Sequence, residues 1–273
     1  MTTALAPRLR RCSTLPPRWP CLFRLVRWYA RRYAAKHLHA VRVSKCGTLP
    51  RAFDGPLIVV LNHPSWWDPL LGFILSEFFS DRDHWAPIEA AALRRYRFLA
   101  RAGLFGIEPG TTRGASQFLR MASAILAEPR ATLWVTAQGR FADVRERPPR
   151  LRAGVGHLAQ SLTAGVVLPL AIEMTFWNER TPEALARFGE PLDIAARREW
   201  TAEEWTAAIE AALERTQDAL AAEAMRRDPD IFETIVRGRA GVGGIYDYWR
   251  RLRAWTRGEK FRAEHGSASD TGT

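Results

Sequence analysis

The segment Asn62-His63-Pro64-Ser65-Trp66-Trp67-Asp68-Pro69 holds the residues best suited to chemistry. A histidine and an aspartate five positions apart can fold back onto each other across a turn. The carboxylate then accepts from one imidazole nitrogen and fixes the tautomer, which leaves the other nitrogen able to take a proton from a hydroxyl. This is the base half of a serine-hydrolase triad, with a substrate hydroxyl in the place of the serine. No nucleophile of the protein's own is needed if the group to be transferred arrives already activated. Ser65 to Asp68 also reads as a capping box that opens a helix. Capping gives Asp68 a structural use and leaves His63 unexplained. Trp66 and Trp67 suit core packing, or the wall of an acyl or headgroup pocket.

The elements that must position this pair follow from the apolar pattern. Pro56–Asn62 is a short apolar run of the kind found in buried strands, so His63 sits at a strand's carboxyl end, where α/β folds place their sites. Strands are expected at His84–Ala91, Leu104–Ile107, Thr132–Thr136 and Val166–Phe176. Helices are expected near Leu93–Ala102, at Gly114–Ala127 and Ala153–Ser161, and as one long amphipathic helix over Ala202–Arg226. Such alternation predicts an α/β fold with a mixed, largely parallel central sheet flanked by helices. Residues 21–42 read as a further helix, with Leu22, Leu25, Val26, Tyr29 and Tyr33 at helical spacing. Ile245, Tyr248, Trp249, Leu252 and Trp255 repeat that spacing among arginines in the tail. The expected organisation is a basic amphipathic membrane-associating segment over 1–50, an α/β domain over 51–240, and a basic aromatic tail over 241–273.

Beyond the His63 motif, three blocks follow in order: Gly103-Leu104-Phe105-Gly106-Ile107-Glu108, Val135-Thr136-Ala137-Gln138-Gly139-Arg140 and Val167-Leu168-Pro169-Leu170. With NHxxxxD after an apolar strand, this series resembles the glycerolipid and lysophospholipid acyltransferases over about residues 56–175. The resemblance implies His63 and Asp68 as the catalytic pair, and acyl-CoA or acyl-carrier protein as co-substrate. It implies a lysophospholipid or related lipid as acceptor, contacted by Asn62, Ser65, Glu108, Arg113, Gln138, Gly139 and Arg140. Two positions depart from the pattern. Pro109 and Gly110 stand where an acceptor-binding arginine is usual, so that Arg113 is the nearest, and Gln138 stands where glutamate is usual. Both leave the identity of the acceptor open.

Charge points to an anionic partner. The chain has 273 residues and a net charge of +11, with twelve Arg or Lys and no Asp or Glu from Met1 to Phe53. An acidic membrane surface fits a basic helix with aromatics. Arg140, Arg145, Arg147, Arg150 and Arg152, leading into a helix start, suit a phosphate of the acceptor or of the donor's carrier arm. A nucleic-acid-binding protein fits the charge as well, but no motif of a known reader is present, and no nucleic-acid partner is expected. A lipid-binding relative without catalysis is the other alternative. Three cysteines without a CxxC pair fit a reducing compartment. No run of eighteen apolar residues is present, so a peripheral location is expected, at the cytoplasmic face of the inner or plasma membrane. Gly154-Val155-Gly156 follows a Pro- and Arg-rich loop rather than a strand and so is not a dinucleotide fingerprint. His37, His39, His84, His157 and His265 lack the neighbours of a metal site, and no metal or resident cofactor is expected.

Overall fold

The computed structural model describes residues 15, 16, 18–48 and 54–238. In chain order the elements are α1 (Pro20–His37), β1 (Ala40–Ser44), β2 (Leu57–Leu61), α2 (Asp68–Leu75), β3 (Asp83–Glu89), α3 (Ala90–Arg95), α4 (Phe98–Arg101) and β4 (Leu104–Ile107). They continue with α5 (Thr112–Leu126), β5 (Ala131–Thr136), α6 (Gly154–Ser161), β6 (Val166–Thr175), β7 (Glu183–Phe188), β8 (Leu192–Asp193), α7 (Ala202–Arg226) and β9 (Phe232–Arg237).

The strands form one sheet in the order β4-β3-β5-β2-β6-β7-β1-β9, with β8 paired to β6. Pairing is parallel from β4 through β6 and between β7 and β1. It is antiparallel for β6–β7, β1–β9 and β6–β8. The sheet is therefore mixed and largely parallel, flanked by helices, as the alternation of strand and helix patterns requires.

The apolar run at β2 explains its central place. All five of its residues are buried because helices cover both faces of the sheet. Leu57, Val59 and Leu61 join the core under α1 and α2 with Ala30, Ala34, Leu71 and Ile74. Ile58 and Val60 join the opposite core with Ile125, Leu158, Ile209 and Leu213 of α5, α6 and α7. The long α7 starts at a complete capping box, with Thr201 and Glu204 each bonding the other's backbone N–H, and ends at Arg227 in the left-handed region (φ 54°).

Several sequence expectations change. The helix read over 21–42 ends at His37, and Ala40–Ser44 becomes β1. Val41 and Val43 are β-branched and favour a strand once partners exist, but those partners, β7 and β9, lie far along the chain. The sheet thus begins ahead of residue 51. Arg42 reaches buried Glu183 across the β1–β7 pair. The strands β7, β8 and β9 have no counterpart in the sequence reading. The helix expected near Leu93–Ala102 is broken at Tyr96-Arg97 into α3 and α4. α1 turns Phe23, Ala30 and Ala34 to the core and leaves Leu25, Trp28 and Tyr29 exposed. No helix among the described residues is long and apolar enough to cross a membrane. The aromatic segment 245–255 lies outside the described residues.

Candidate active site

His63 follows the last residues of β2, at the carboxyl edge of the sheet, and Asp68 opens α2. The turn between them brings His63 Nδ1 within 2.6 Å of Asp68 Oδ2. An ionised carboxylate can only accept, so Nδ1 carries the hydrogen, and in the neutral imidazole Nε2 presents its lone pair. Asp68 is held by its own turn. Its Oδ2 accepts from the Ser65 backbone N–H (3.1 Å) and its Oδ1 from the Ser65 hydroxyl (3.2 Å). The Ser65 hydroxyl oxygen accepts in turn from the Trp67 N–H (3.1 Å). The Ser65 turn and the His–Asp pair therefore use the same carboxylate, while the capping box expected over Ser65–Asp68 does not form: Trp67 precedes the first turn of α2 without a side-chain cap, and the Asp68 N–H donates to the Ser65 carbonyl (3.3 Å). The side chain of Asp68 is 1% exposed and that of His63 19%. The charge is shielded from water while the base remains reachable.

Two buried amides fix the backbone around His63. Asn62 extends the β2–β6 ladder by one step with its side chain, donating to the Ile172 carbonyl (2.9 Å) and accepting from the Ile172 N–H (2.8 Å). Gln138, on the turn after β5, accepts from the His63 N–H (2.9 Å) and donates to the Pro149 carbonyl (3.0 Å). The Ala142 N–H donates to the His63 carbonyl (3.0 Å), so this turn grips the histidine backbone from both sides. Gly139 permits the turn with φ +64°, and a Cβ there would collide with the Arg152 side chain. Phe141, from the same turn, lies over the imidazole with ring centroids 4.2 Å apart and an interplanar angle of 29°.

A cavity of about 930 Å³ opens beside His63 and Asp68, within the range of ligand pockets. It runs from the carboxyl ends of β4 and β5, at Ile107 and Thr136, along the α1–α2 side of the sheet to His84 and Trp134. His84 pairs in register with Thr132, four residues before Thr136, so the lining spans ~13 Å along the strands. Phe23, Phe73 and Leu104 make this arm apolar. His84 does not act as a second base there. Burial, reinforced by the Arg18 charge, pushes its imidazole down to about 3. Both of its nitrogens are used, Nε2 with the Phe79 carbonyl (3.0 Å) and Nδ1 with Trp134 Nε1 (3.2 Å).

The more polar part of the cavity is lined by Glu108, Thr111, Gly139, Arg140 and Arg152, and by the first residues of α5 and α6. Neither helix has an acidic residue in its first turn, so both positive helix ends are uncompensated from within. Among the residues expected to touch substrate, Glu108, Gly139 and Arg140 do line the cavity. Asn62, Ser65 and Gln138 do not line it; their polar groups are spent on the backbone and on Asp68. Arg113 is exposed and lies outside the lining. Arg140 is ion-paired with Glu146, Arg145 with Asp143 and Arg147 with Asp218. Arg152 lines the cavity with no carboxylate partner among the described residues. Of the downstream arginine cluster, spacing cannot tell paired from unpaired members. Phe141 has no role in the sequence reading; its only signal there is an aromatic two residues after Gly139. No cluster suited to a metal ion occurs among the described residues.

No protein-family profile and no curated protein sequence matches the chain. A solved structure does: the 1-acyl-sn-glycerophosphate (LPA) acyltransferase PlsC from Thermotoga maritima, with a TM-score of 0.52. The match covers 73% of this chain and 80% of that one at 17% sequence identity. The chain thus shares the fold of a lipid acyltransferase, the fold that the order of its sequence blocks implied.

Proposed function

We propose that this protein is a membrane-surface O-acyltransferase that moves a fatty acyl chain from a thioester, on coenzyme A or acyl-carrier protein, to the hydroxyl of a lysophospholipid or related lipid. The observation that carries the proposal is the 2.6 Å contact between His63 and a buried Asp68 at the wall of a deep apolar cavity. The shared fold with an acyltransferase supports it.

In the proposed reaction His63 Nε2 removes the acceptor's hydroxyl proton as the oxygen attacks the thioester carbonyl carbon. The carbon–sulfur bond breaks as the tetrahedral intermediate collapses. The proton on the imidazolium passes to the departing thiolate, so ester and thiol leave with atoms and charge balanced. Asp68 holds the tautomer and stabilises the imidazolium. The apolar arm past Phe73 and Leu104 takes the acyl chain. Arg152 and the starts of α5 and α6 hold a phosphate, which either the acceptor or the donor's carrier arm supplies. Membrane association comes from the basic helix α1, whose outer face exposes Leu25, Trp28 and Tyr29. No resident cofactor takes part.

Thiol release from acyl-CoA with a panel of lysolipids tests the proposal. Wild type releases thiol in an acceptor-dependent manner and forms the acylated lipid. His63→Ala abolishes both while keeping its fold by circular dichroism. Turnover retained in a folded His63→Ala protein rules out the mechanism.

A further inference from the structure

The sequence assigns membrane contact to the two ends of the chain, yet the structure displays a further surface of the same chemistry in its middle. Between Glu89 and Glu108 there are four arginines, Arg94, Arg95, Arg97 and Arg101, and no acidic residue. The break between α3 and α4 falls at Tyr96-Arg97. Tyr96 and Phe98, set among these arginines, are 45% and 50% exposed. No residue of α3 or α4 is buried, so these arginines and aromatics belong to the surface rather than to the core.

Arg94, Arg97 and Arg101 line a shallow groove of about 490 Å³ beside Gln117. None of the three has a carboxylate partner among the described residues. In the loop after β5, by contrast, Arg140, Arg145 and Arg147 are each paired with a carboxylate. This surface joins the start of α1. The Trp19 N–H donates to the Arg101 carbonyl (2.7 Å), and the Arg101 guanidinium stands 4.8 Å over the Trp19 ring, itself half exposed. The surface also borders the cavity, because Glu89 and Ala92 at the start of α3 belong to the cavity lining.

We propose that the α3–α4 segment, with Trp19 beside it, docks on an anionic phospholipid bilayer and brings the cavity mouth against the lipid. Unpaired arginines attract the surface of acidic headgroups, and aromatic side chains enter the interfacial layer. That combination fits a bilayer better than any other anionic partner. A nucleic acid is served by the charge but does not require side chains such as Phe98 to be apolar. The chain's own C-terminal segment carries Arg250, Arg251 and Arg253, the same sign as the groove, which disfavours it as the occupant. Docking here would let an acyl acceptor pass from bilayer to cavity without crossing water; that consequence rests on the acyltransferase proposal, whereas the docking itself does not.

The test is sedimentation of the full chain with phosphatidylcholine vesicles, with and without phosphatidylglycerol. Wild type is expected to bind only the phosphatidylglycerol-containing vesicles, and to release as salt rises. Arg94→Gln/Arg97→Gln lowers that binding by about thirtyfold, given the usual contribution of two surface charges. Tyr96→Ser/Phe98→Ser lowers it by about tenfold. Both variants keep the wild-type melting temperature and turn over a short-chain, monomeric substrate at the wild-type rate. Either double variant binding vesicles like wild type while folded overturns the proposal. So does wild-type affinity for a duplex oligonucleotide that matches its affinity for the vesicles at equal salt. A change in sedimentation coefficient without a change in vesicle binding would assign the surface to a second copy and equally overturn it. The His63→Ala protein is expected to bind vesicles as wild type does, so a failure of the catalytic mechanism and a failure of this docking surface are read separately.

Discussion

Asp68→Asn separates the two uses of one carboxylate. The geometry allows asparagine to keep every hydrogen bond that Asp68 makes. If its Oδ1 takes the place of Oδ2, it accepts from His63 Nδ1 and from the Ser65 N–H as before. Its amide nitrogen then faces the Ser65 hydroxyl, which can rotate to accept, since a hydroxyl oxygen has two lone pairs and only the Trp67 N–H occupies one. The turn, the start of α2 and the histidine tautomer survive, and only the negative charge is lost. Stability is expected to change by less than ~1 kcal/mol. The imidazolium formed during reaction loses a charge-assisted hydrogen bond of ~1.5–3 kcal/mol, so kcat falls by about ten- to a hundredfold. Asp68→Ala differs in kind. It strands the Ser65 N–H and His63 Nδ1, and the protein loses ~2–4 kcal/mol of stability as well. The assay is acceptor-dependent thiol release beside thermal unfolding of both variants. Asp68→Asn turning over within twofold of wild type would refute a role for the charge. Asp68→Asn melting as low as Asp68→Ala would refute the hydrogen-bond substitution on which the separation rests.

Three further perturbations follow from the same geometry. Gln138→Leu strands the His63 N–H and the Pro149 carbonyl, at a cost of ~2–5 kcal/mol; a denaturant midpoint equal to wild type would show that Gln138 does not hold the turn. Arg152→Gln is expected to raise KM for the phosphate-bearing substrate by about tenfold or more with a smaller change in kcat, and Arg140→Gln, whose guanidinium is already engaged by Glu146, to change KM less; equal effects would remove the distinction. His84 is held down to about 3 from 6.5 by burial. Between those values the unfolded chain binds the extra proton, so the stability contributed by neutral His84 is complete above pH 6.5 and is lost as pH falls toward 3, by ~2 kcal/mol at pH 5. His84→Gln, which can still donate to the Phe79 carbonyl and accept from Trp134 Nε1, is expected to flatten that part of the stability–pH curve, and an unchanged slope would exclude His84 as its source.

Much of the site was legible because it is local. His63 and Asp68 stand five residues apart, and a strand followed at once by a helix start leaves the intervening turn few ways to run. The apolar run of β2 and the alternation of strand and helix patterns were enough to anticipate a largely parallel sheet with the pair at its carboxyl edge. Gln138 shows where such inference stops. Its type and its place in a motif suggested a substrate contact, yet its oxygen meets a backbone N–H 75 positions earlier in the chain. Asn62 is a second such case, its amide being completed by Ile172, 110 positions away.

The sequence by itself determined that His63 and Asp68 would stand together and at which strand end, since both follow from residue type and from a spacing of five residues across one strand-to-helix turn. The tertiary structure alone decided the sheet's second half, where Val41 and Val43 read as the tail of a helix until β7 and β9 offer them backbone partners. It also decided which arginines are spent. Arg140 and Arg152 look alike along the chain and both line the cavity, and only the folded molecule places Glu146 against Arg140 and no carboxylate of the described residues against Arg152. Local pattern fixes what a residue can do, whereas a charge or a hydrogen bond is satisfied by whichever group the fold brings within about 3 Å, however far off in sequence it lies.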